Sequence, residues 1–442
     1  MKHNQEGLYP RGFSSKTDWK YPLVQAGKLV TLNYGKALTA QHRVEGDVPV
    51  YGTNGQCGHH NEFLVSGPGV ILGRKGQGPL GVEWSENNFW VIDTAYYVTA
   101  KSENIDLQYF YYLVRFIGLN HLKDGTSNPS LSRDTFSRLL LPLPPVQCQK
   151  GISKLLRNFD NKITLNRQIN QTLEQMAQTL FKSWFVDFDP VIDNALDADN
   201  PIPDELQHRA EARKAVRESE GFKPLPDDVR QLFPDAFEES ELGWVPKGWV
   251  VSTAGDEFTV KGGSTPSTKN AEFWEGGDIH WTSPKDLSGK AEKILLDTER
   301  KITATGLSKI TSGLLPPETV LMSSRAPVGY LAMTKVPVAI NQGYIAITEC
   351  KSLTQEFALY WLDSKIEMIK SISGGTTFAE ISKKTFRTIP IVVPSAQSAN
   401  AFSETVALYL SKISKNVEEC RSLSALRDSL LPKLISGELE II

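Results

Sequence analysis

Three short stretches carry residue types that chemistry on nucleotides or nucleic acids would need, and none completes a known constellation. Residues 73–78, reading GRKGQG, are glycine-rich and cationic, but a phosphate-cradling loop needs the spacing GxxxxGK followed by Ser or Thr, which is missing. Ser127-Asn128-Pro129-Ser130 shares only two residues with the Asn-Pro-Pro-aromatic signature of adenine methylation. The adjacent His59-His60 pair has no metal-ligand spacing around it and reads as a loop. No Pro-Asp is followed nearby by an acidic-x-Lys triplet of the nuclease type, and the seven histidines form no catalytic set. The expectation is a chain without catalytic residues, metal site or cofactor of its own. What remains is a set of cationic and hydroxyl side chains in Gly- or Pro-punctuated loops: Lys36, Arg74, Lys75, Lys261, Ser264, Thr265, Lys269, Lys285 and Arg325. These types contact phosphates and base edges. For Arg74-Lys75, DNA contact and an ordinary solvated hairpin are evenly balanced.

The elements that must position these loops come in two copies. Residues 125–127 (GTS) recur at 375–377 (GTT), and residues 132–136 (SRDTF) recur at 382–386 (SKKTF), both shifted by 250. The same shift runs without a gap through Pro144 and Pro394, Gln147 and Gln397, Ile163 and Ile413, Asn166 and Asn416, Leu173 and Leu423, and Leu180 and Leu430. It also pairs Val70-Ile71-Leu72 with Val320-Leu321-Met322, and Lys75 with Arg325. A gapless series of this length means duplication, each copy being a head followed by a tail.

Each tail has the pattern of a long helix. Ile152, Leu155, Leu156, Phe159, Ile163, Ile169, Leu173, Met176, Leu180 and Trp184 recur at three- and four-residue spacing. The second tail repeats the stripe with Phe402, Val406, Tyr409, Ile413, Leu423, Leu426 and Leu430. Asn166 and Asn416 are polar members of an otherwise apolar heptad row, which costs stability and fixes register. Two such stripes, each about five heptads long, predict that the tails pack on each other as an antiparallel coiled coil. About 35 helical residues would make a rod of roughly 50 Å, a spacer between the heads. Each head reads as mixed α/β, with β-branched runs punctuated by Gly and Pro. The aromatic run 106–112 and its counterpart 356–362 read as short helices buried in the core rather than as base-stacking platforms.

The predicted fold class is therefore α+β: two pseudo-repeated α/β domains separated by two long helices. The boundaries are a first head over 1–145, a first helix over 146–186, an acidic Pro-rich linker over 187–240, a second head over 241–395 and a second helix over 396–442. A net charge of −3 over 442 residues, taken as a total, argues against a polyanionic partner. The linker alone, however, carries −9, so the remainder carries +6, which permits DNA binding. Within the linker, residues 204–219 fit a short charged helix, and the rest reads as solvated chain. Hydrophobic residues at 40% and charged residues at 22% suit globular domains. No apolar run is long enough to span a membrane, and the N-terminus has no apolar signal region. Four widely spaced cysteines suit a reducing cytoplasm.

Residues 162–170 (KITLNRQIN) and 180–190 (LFKSWFVDFDP) resemble the central helix of type I restriction-modification specificity subunits. Residues 261–270 (KGGSTPSTKN), 277–287 (GDIHWTSPKDL), 323–329 (SSRAPVG) and 339–343 (AINQG) are similar to that family's target-recognition domains, and 51–55 (YGTNG) and 73–76 (GRKG) fit the same pattern. The likeness covers essentially the whole chain. It implies a prokaryotic, cytoplasmic, non-catalytic subunit serving defence against phage, whose two heads read the halves of a split, asymmetric site on double-stranded DNA. It also implies two modification subunits, which hold S-adenosylmethionine and methylate adenine, and restriction subunits, which use ATP and Mg²⁺. The first head lacks the Thr-Pro-Ser stretch, so the two heads are expected to read different sequences. Phe181, Trp184, Phe185, Leu430 and Leu434, surplus to a two-helix seam, are the expected docking surface for those subunits. Two other readings stand beside this one: a two-headed adaptor of another anti-phage system, and a self-sufficient methyltransferase or nuclease with an unfamiliar site.

Overall fold

The β-branched runs form the same pair of sheets twice in a computed structural model that describes residues 7–10, 20–325, 327–374 and 379–440. The 375–377 copy of the repeated GTS motif, Ala326 and most of the N-terminal stretch that lacks an apolar signal region lie outside the described residues. In the first head the main sheet runs in the order Val30–Tyr34, Ala95–Ala100, Gly69–Gly73, Val82–Ser85, all antiparallel. In the second head the order Phe258–Lys261, Tyr344–Cys350, Val320–Ser323, Leu331–Thr334 repeats it, and Ile294–Leu295 adds a fifth, parallel strand. A side sheet is duplicated too. Val48–Gly52 pairs antiparallel with Gly55–His60 and parallel with Trp90–Val91, as Ile279–Thr282 does with Arg300–Ile302 and Ala339–Ile340.

The aromatic runs are helices, Leu107–Ile117 and Gln355–Ile372, and their rings pack inward: Tyr109, Phe110, Phe357, Tyr360 and Trp361 are all buried. Asp106 and Thr354 cap them by accepting from the backbone N–H of Tyr109 and Phe357. The short helices Arg133–Ser137 and Lys383–Arg387 keep the 250-residue register, each capped by the preceding serine. So do single backbone bridges from Lys75 to Ser130 and from Arg325 to Glu380.

The tails are single helices, Val146–Phe185 and Ala396–Ser436. The chain divides into two compact units, and each helix contributes to both. One unit holds residues 1–164 with 419–442, the other residues 165–418. In the first unit, Lys162 pairs with Glu419 at 3.3 Å and Arg427 with Asp160 at 2.6 Å. Leu431, Leu434 and Ile435 join Ile152 and Leu156 in the core of the first head. In the second unit, Asn416 donates to the Asn170 carbonyl at 2.8 Å, and the Phe181 and Phe402 rings lie 5.5 Å apart. In each unit rising numbers on one helix meet falling numbers on the other, so the pairing is antiparallel. Asn166, Asn170 and Asn416 are buried in the seam. Two members of the expected stripe are not in it: Met176 and Leu426, repeat equivalents of one another, are 45% and 46% exposed.

The segment 187–240 corrects an expectation. Instead of solvated linker around one helix, it folds as Asp189–Asp197, Gln207–Arg217 and Asp227–Arg230, with Val191, Ile192, Ala195, Leu206, Ala210 and Phe233 buried. Part of its charge is paired within the fold. Arg213 grips buried Asp193 with two hydrogen bonds of 2.9 and 2.7 Å, and Asp197 meets both Arg217 and Arg230. These guanidiniums, Arg217 first, hold the Asp197 carboxyl below its ordinary value. A depressed carboxyl stabilises the fold above its unfolded value of about 3.9, and the contribution is lost as pH falls through the lower folded value. Amide protection over 189–230, corrected for the intrinsic exchange rate, should therefore fall below about pH 4, and Asp197→Asn should flatten that dependence at a cost of about 1 kcal/mol or less at neutral pH. An unaltered exchange profile in the variant would show that this carboxylate does not hold the segment.

Candidate nucleic-acid interface

Six of the nine expected contact residues, Lys36, Arg74, Lys75, Ser264, Thr265 and Arg325, lie on or beside segments that meet one turn in each head, and Lys261, Lys269 and Lys285 do not join them. In the first head the turn is 91–95. The Lys36 backbone N–H donates to the Val91 carbonyl, and that of Arg74 to the Thr94 carbonyl. The Arg74 guanidinium donates to the Asp93 carbonyl at 2.9 Å, and the Lys75 amine meets the Asp93 carboxylate at 2.9 Å. Gly35 is required here, because a Cβ on it would lie 2.2 Å from the Ile92 carbonyl oxygen. In the second head the Ser264 N–H donates to the Ile340 carbonyl, and a Cβ on Gly263 would lie 1.8 Å from that oxygen. The Thr265 hydroxyl donates to the Gln342 side-chain carbonyl at 2.8 Å, and Ser324, beside Arg325, donates from its backbone to Gly343. An indole N–H reaches the same loop carbonyl in both heads, Trp90 to Lys36 and Trp281 to Ser264.

The nine residues are not equally free. Lys75 is tied to Asp93, Lys285 to Glu299 at 3.0 Å, and Arg325 lies 3.9 Å from Glu380. A neighbouring carboxylate cancels much of the field a phosphate would meet, so these three offer an anion less than their types suggested. The Lys36 amine sits 5.9 Å from the centre of the Trp90 ring. Lys261 and Lys269 are exposed, with no ion pair among the described residues.

Aromatic rings that hold guanidiniums were not legible from spacing. Tyr34, 47% exposed, carries Arg74 at 4.7 Å and Arg133 at 4.5 Å from its ring centre. In the second head Arg300 lies 3.5 Å from the Trp274 ring centre and 5.6 Å from that of Trp281. Both partners of Arg300 are rings set edge to face, and the strand register puts Arg300 opposite Trp281. The only signal for Arg133 was its place in SRDTF, the motif repeated as SKKTF.

The docking expectation is corrected. Phe181, Trp184, Phe185 and Leu434 are buried within their own units, and Leu430 is partly buried against the first core. Phe181 and Phe185 pack on Phe357 at 5.1 and 4.9 Å, and Trp184 packs on Phe233 at 5.0 Å. The rings surplus to a two-helix seam are taken up by the head helix and by the folded acidic segment.

Two copies of one α/β head, each presenting a cation-bearing loop cluster and each seated on halves of two long helices, define a two-headed protein built by duplication. The profile of the type I restriction modification DNA specificity domain matches residues 17–175 and 246–419. The chain is 30% identical over 381 residues to the HindI specificity subunit of Haemophilus influenzae, covering 79% of this chain and 81% of that one. It is 37% identical over 190 residues to the MjaIX specificity subunit of Methanocaldococcus jannaschii, covering 42% and 44%. The fold matches the crystal structure of a type I S subunit from M. genitalium with a TM-score of 0.60 at 16% identity, covering 97% of this chain and 99% of that one. The chain belongs to the specificity-subunit family of type I restriction-modification systems.

The Trp274 indole also donates to the Ser267 carbonyl at 3.0 Å, so one side chain pins both Arg300 and the 264–270 loop. Trp274→Leu should cost about 1–2 kcal/mol in local stability and speed amide exchange over 264–270 without affecting the main sheet. Equal exchange in both proteins would mean that the loop is held by its backbone alone.

Proposed function

We propose that the chain is the non-catalytic reader of a type I complex, its two heads each reading one half of a split, asymmetric site on double-stranded DNA. The observation that carries this is the duplicated loop cluster with different side chains in each copy. Gly35-Lys36 answers to Gly263-Ser264, and the second head adds the Trp274–Arg300 stack and the parallel strand Ile294–Leu295. A shared scaffold with unlike loops suits two different readings. S-adenosylmethionine, ATP and Mg²⁺ belong to partner subunits in this proposal, and the long helices act as spacer and platform. Exchanging residues 241–395 for the second head of another family member should change one half-site of the methylated sequence and leave the other intact. Methylation mapping of the assembled complex checks it, and a change in both half-sites would show that the heads do not read independently. The same chain alone, given S-adenosylmethionine, ATP, Mg²⁺ and DNA, is expected neither to methylate nor to cut.

The docking surface moves to the apolar positions the helices leave open. Met176 and Leu426 are exposed at equivalent places in the two repeats, which suits two copies of one modification subunit. In the second unit, Met176 lines a cavity of about 550 Å³ with Leu180, Phe222, Leu225 and Tyr409. Met176→Asp and Leu426→Asp should each weaken binding of modification subunits by about tenfold, or ~1.4 kcal/mol, with unchanged thermal unfolding of the chain. Wild-type assembly affinity in both variants would remove these positions from the interface.

A further inference from the structure

We propose that Arg133 and Lys383 are repeat-equivalent phosphate anchors, one exposed cation in each head that grips the DNA backbone while neighbouring side chains read bases. This rests on the DNA-reading function proposed above and assigns residues that neither loop composition nor family likeness singled out. Both residues follow a capping serine, Ser132 or Ser382, whose hydroxyl oxygen accepts from the backbone N–H of Thr135 or Thr385. The cap fixes where the cation leaves the backbone in each head.

The two cations then reach the same place by different means. The Arg133 guanidinium lies over Tyr34, the residue preceding Gly35. The Lys383 amine lies over Gly262, the residue preceding Gly263, at 2.5 Å from where a Cβ would be. Gly35 and Gly263 are the two glycines pressed against a carbonyl of the turn, so Tyr34 and Gly262 are structural equivalents. A tyrosine face suits a planar guanidinium, and a missing side chain leaves room for an ammonium. Residue 34 or 262 thus varies together with residue 133 or 383, and the positive charge stays in place. In the neighbouring pair Lys75 and Arg325, each cation has an acidic partner at home. Arg133 and Lys383 take part in no ion pair among the described residues.

The cleft beside Arg133 has charged lining residues of one sign only. Arg133 lines this cleft of about 450 Å³ with Lys28 and Lys101, and no carboxylate lines it. The Lys101 amine is held there by the Gly27 carbonyl at 2.8 Å. A cation common to two heads that differ elsewhere cannot encode the difference between two half-sites. It can supply the contact both need, which is with the sequence-independent phosphates.

The test is equilibrium binding of the assembled complex to a duplex with its methylation site and to a scrambled duplex, between about 50 and 200 mM salt. Arg133→Gln and Lys383→Gln should each weaken binding to both duplexes and make the slope of log affinity against log salt shallower by about 0.9. The double variant should lose about 1.8, and Arg133→Lys should restore the wild-type slope. Wild-type slopes in both single variants would overturn the proposal while leaving the DNA-reading function standing. So would a loss confined to the specific duplex with an unchanged slope, the behaviour of a base contact. If the wild-type complex bound neither duplex with salt dependence, the proposed function and this assignment would fall together.

Discussion

Each head closes its core only against halves of two helices that are far apart in sequence. In the first unit the floor is Ile152 and Leu156 from one helix and Leu431, Leu434 and Ile435 from the other. In the second it is Ala177, Phe181 and Trp184 from one and Phe402, Val406 and Leu410 from the other. The antiparallel seam is therefore part of the heads' cores rather than a separate rod attached to them. Polar clamps reinforce it within each unit. The Tyr112 hydroxyl donates to Asp160, which Arg427 also grips, and the Tyr360 hydroxyl donates to buried Glu174, which lies 3.8 Å from the Lys293 amine. Burial pushes the Glu174 carboxyl up, and the adjacent Lys293 opposes that shift.

With the floor fixed, the loop ends are free to differ. The main sheet, the side sheet and the serine-capped helix recur with matching partners, while residues between Ser264 and Val320 in the second head include an added strand, the Trp274 ring and Arg300. The added strand places Glu292 and Lys293 against the first long helix, where the Asn170 side chain meets Glu292. The second head thus carries an added strand at its loops and added polar contacts to the first long helix.

The architecture was legible because duplication is visible as a constant register, and a helix of this length has a stripe no other element shares. The fold of the acidic segment is not legible from its proline and charge, which are equally the marks of solvated chain. Three of its carboxylates meet guanidiniums 20–33 residues further on, for example Asp193 with Arg213 and Asp197 with Arg230, and no local pattern reports that. Trp184 and Phe185 looked surplus for the same reason, since their partners Phe233 and Phe357 come from elements whose placement depends on the whole unit. Among the loop residues, composition found the right neighbourhoods but not the right side chains. Lys75 and Lys285 carry the expected type yet are paired, and Tyr34, Arg133 and Lys383 become conspicuous only when the two heads are laid over each other in space.

The discontinuous make-up of the first unit has a consequence during synthesis. Its head leaves the ribosome early, but Leu431, Leu434 and Ile435 are translated more than 250 residues after Leu156. Until they arrive, the underside of that head is apolar and uncovered, the condition in which nascent chains associate wrongly or engage chaperones. The second unit, built from the uninterrupted stretch 165–418, can close first. Vectorial translation thus gives the protein an order of maturation opposite to the order of its heads along the chain, and a ribosome that stops short of residue 431 releases a first head without its floor.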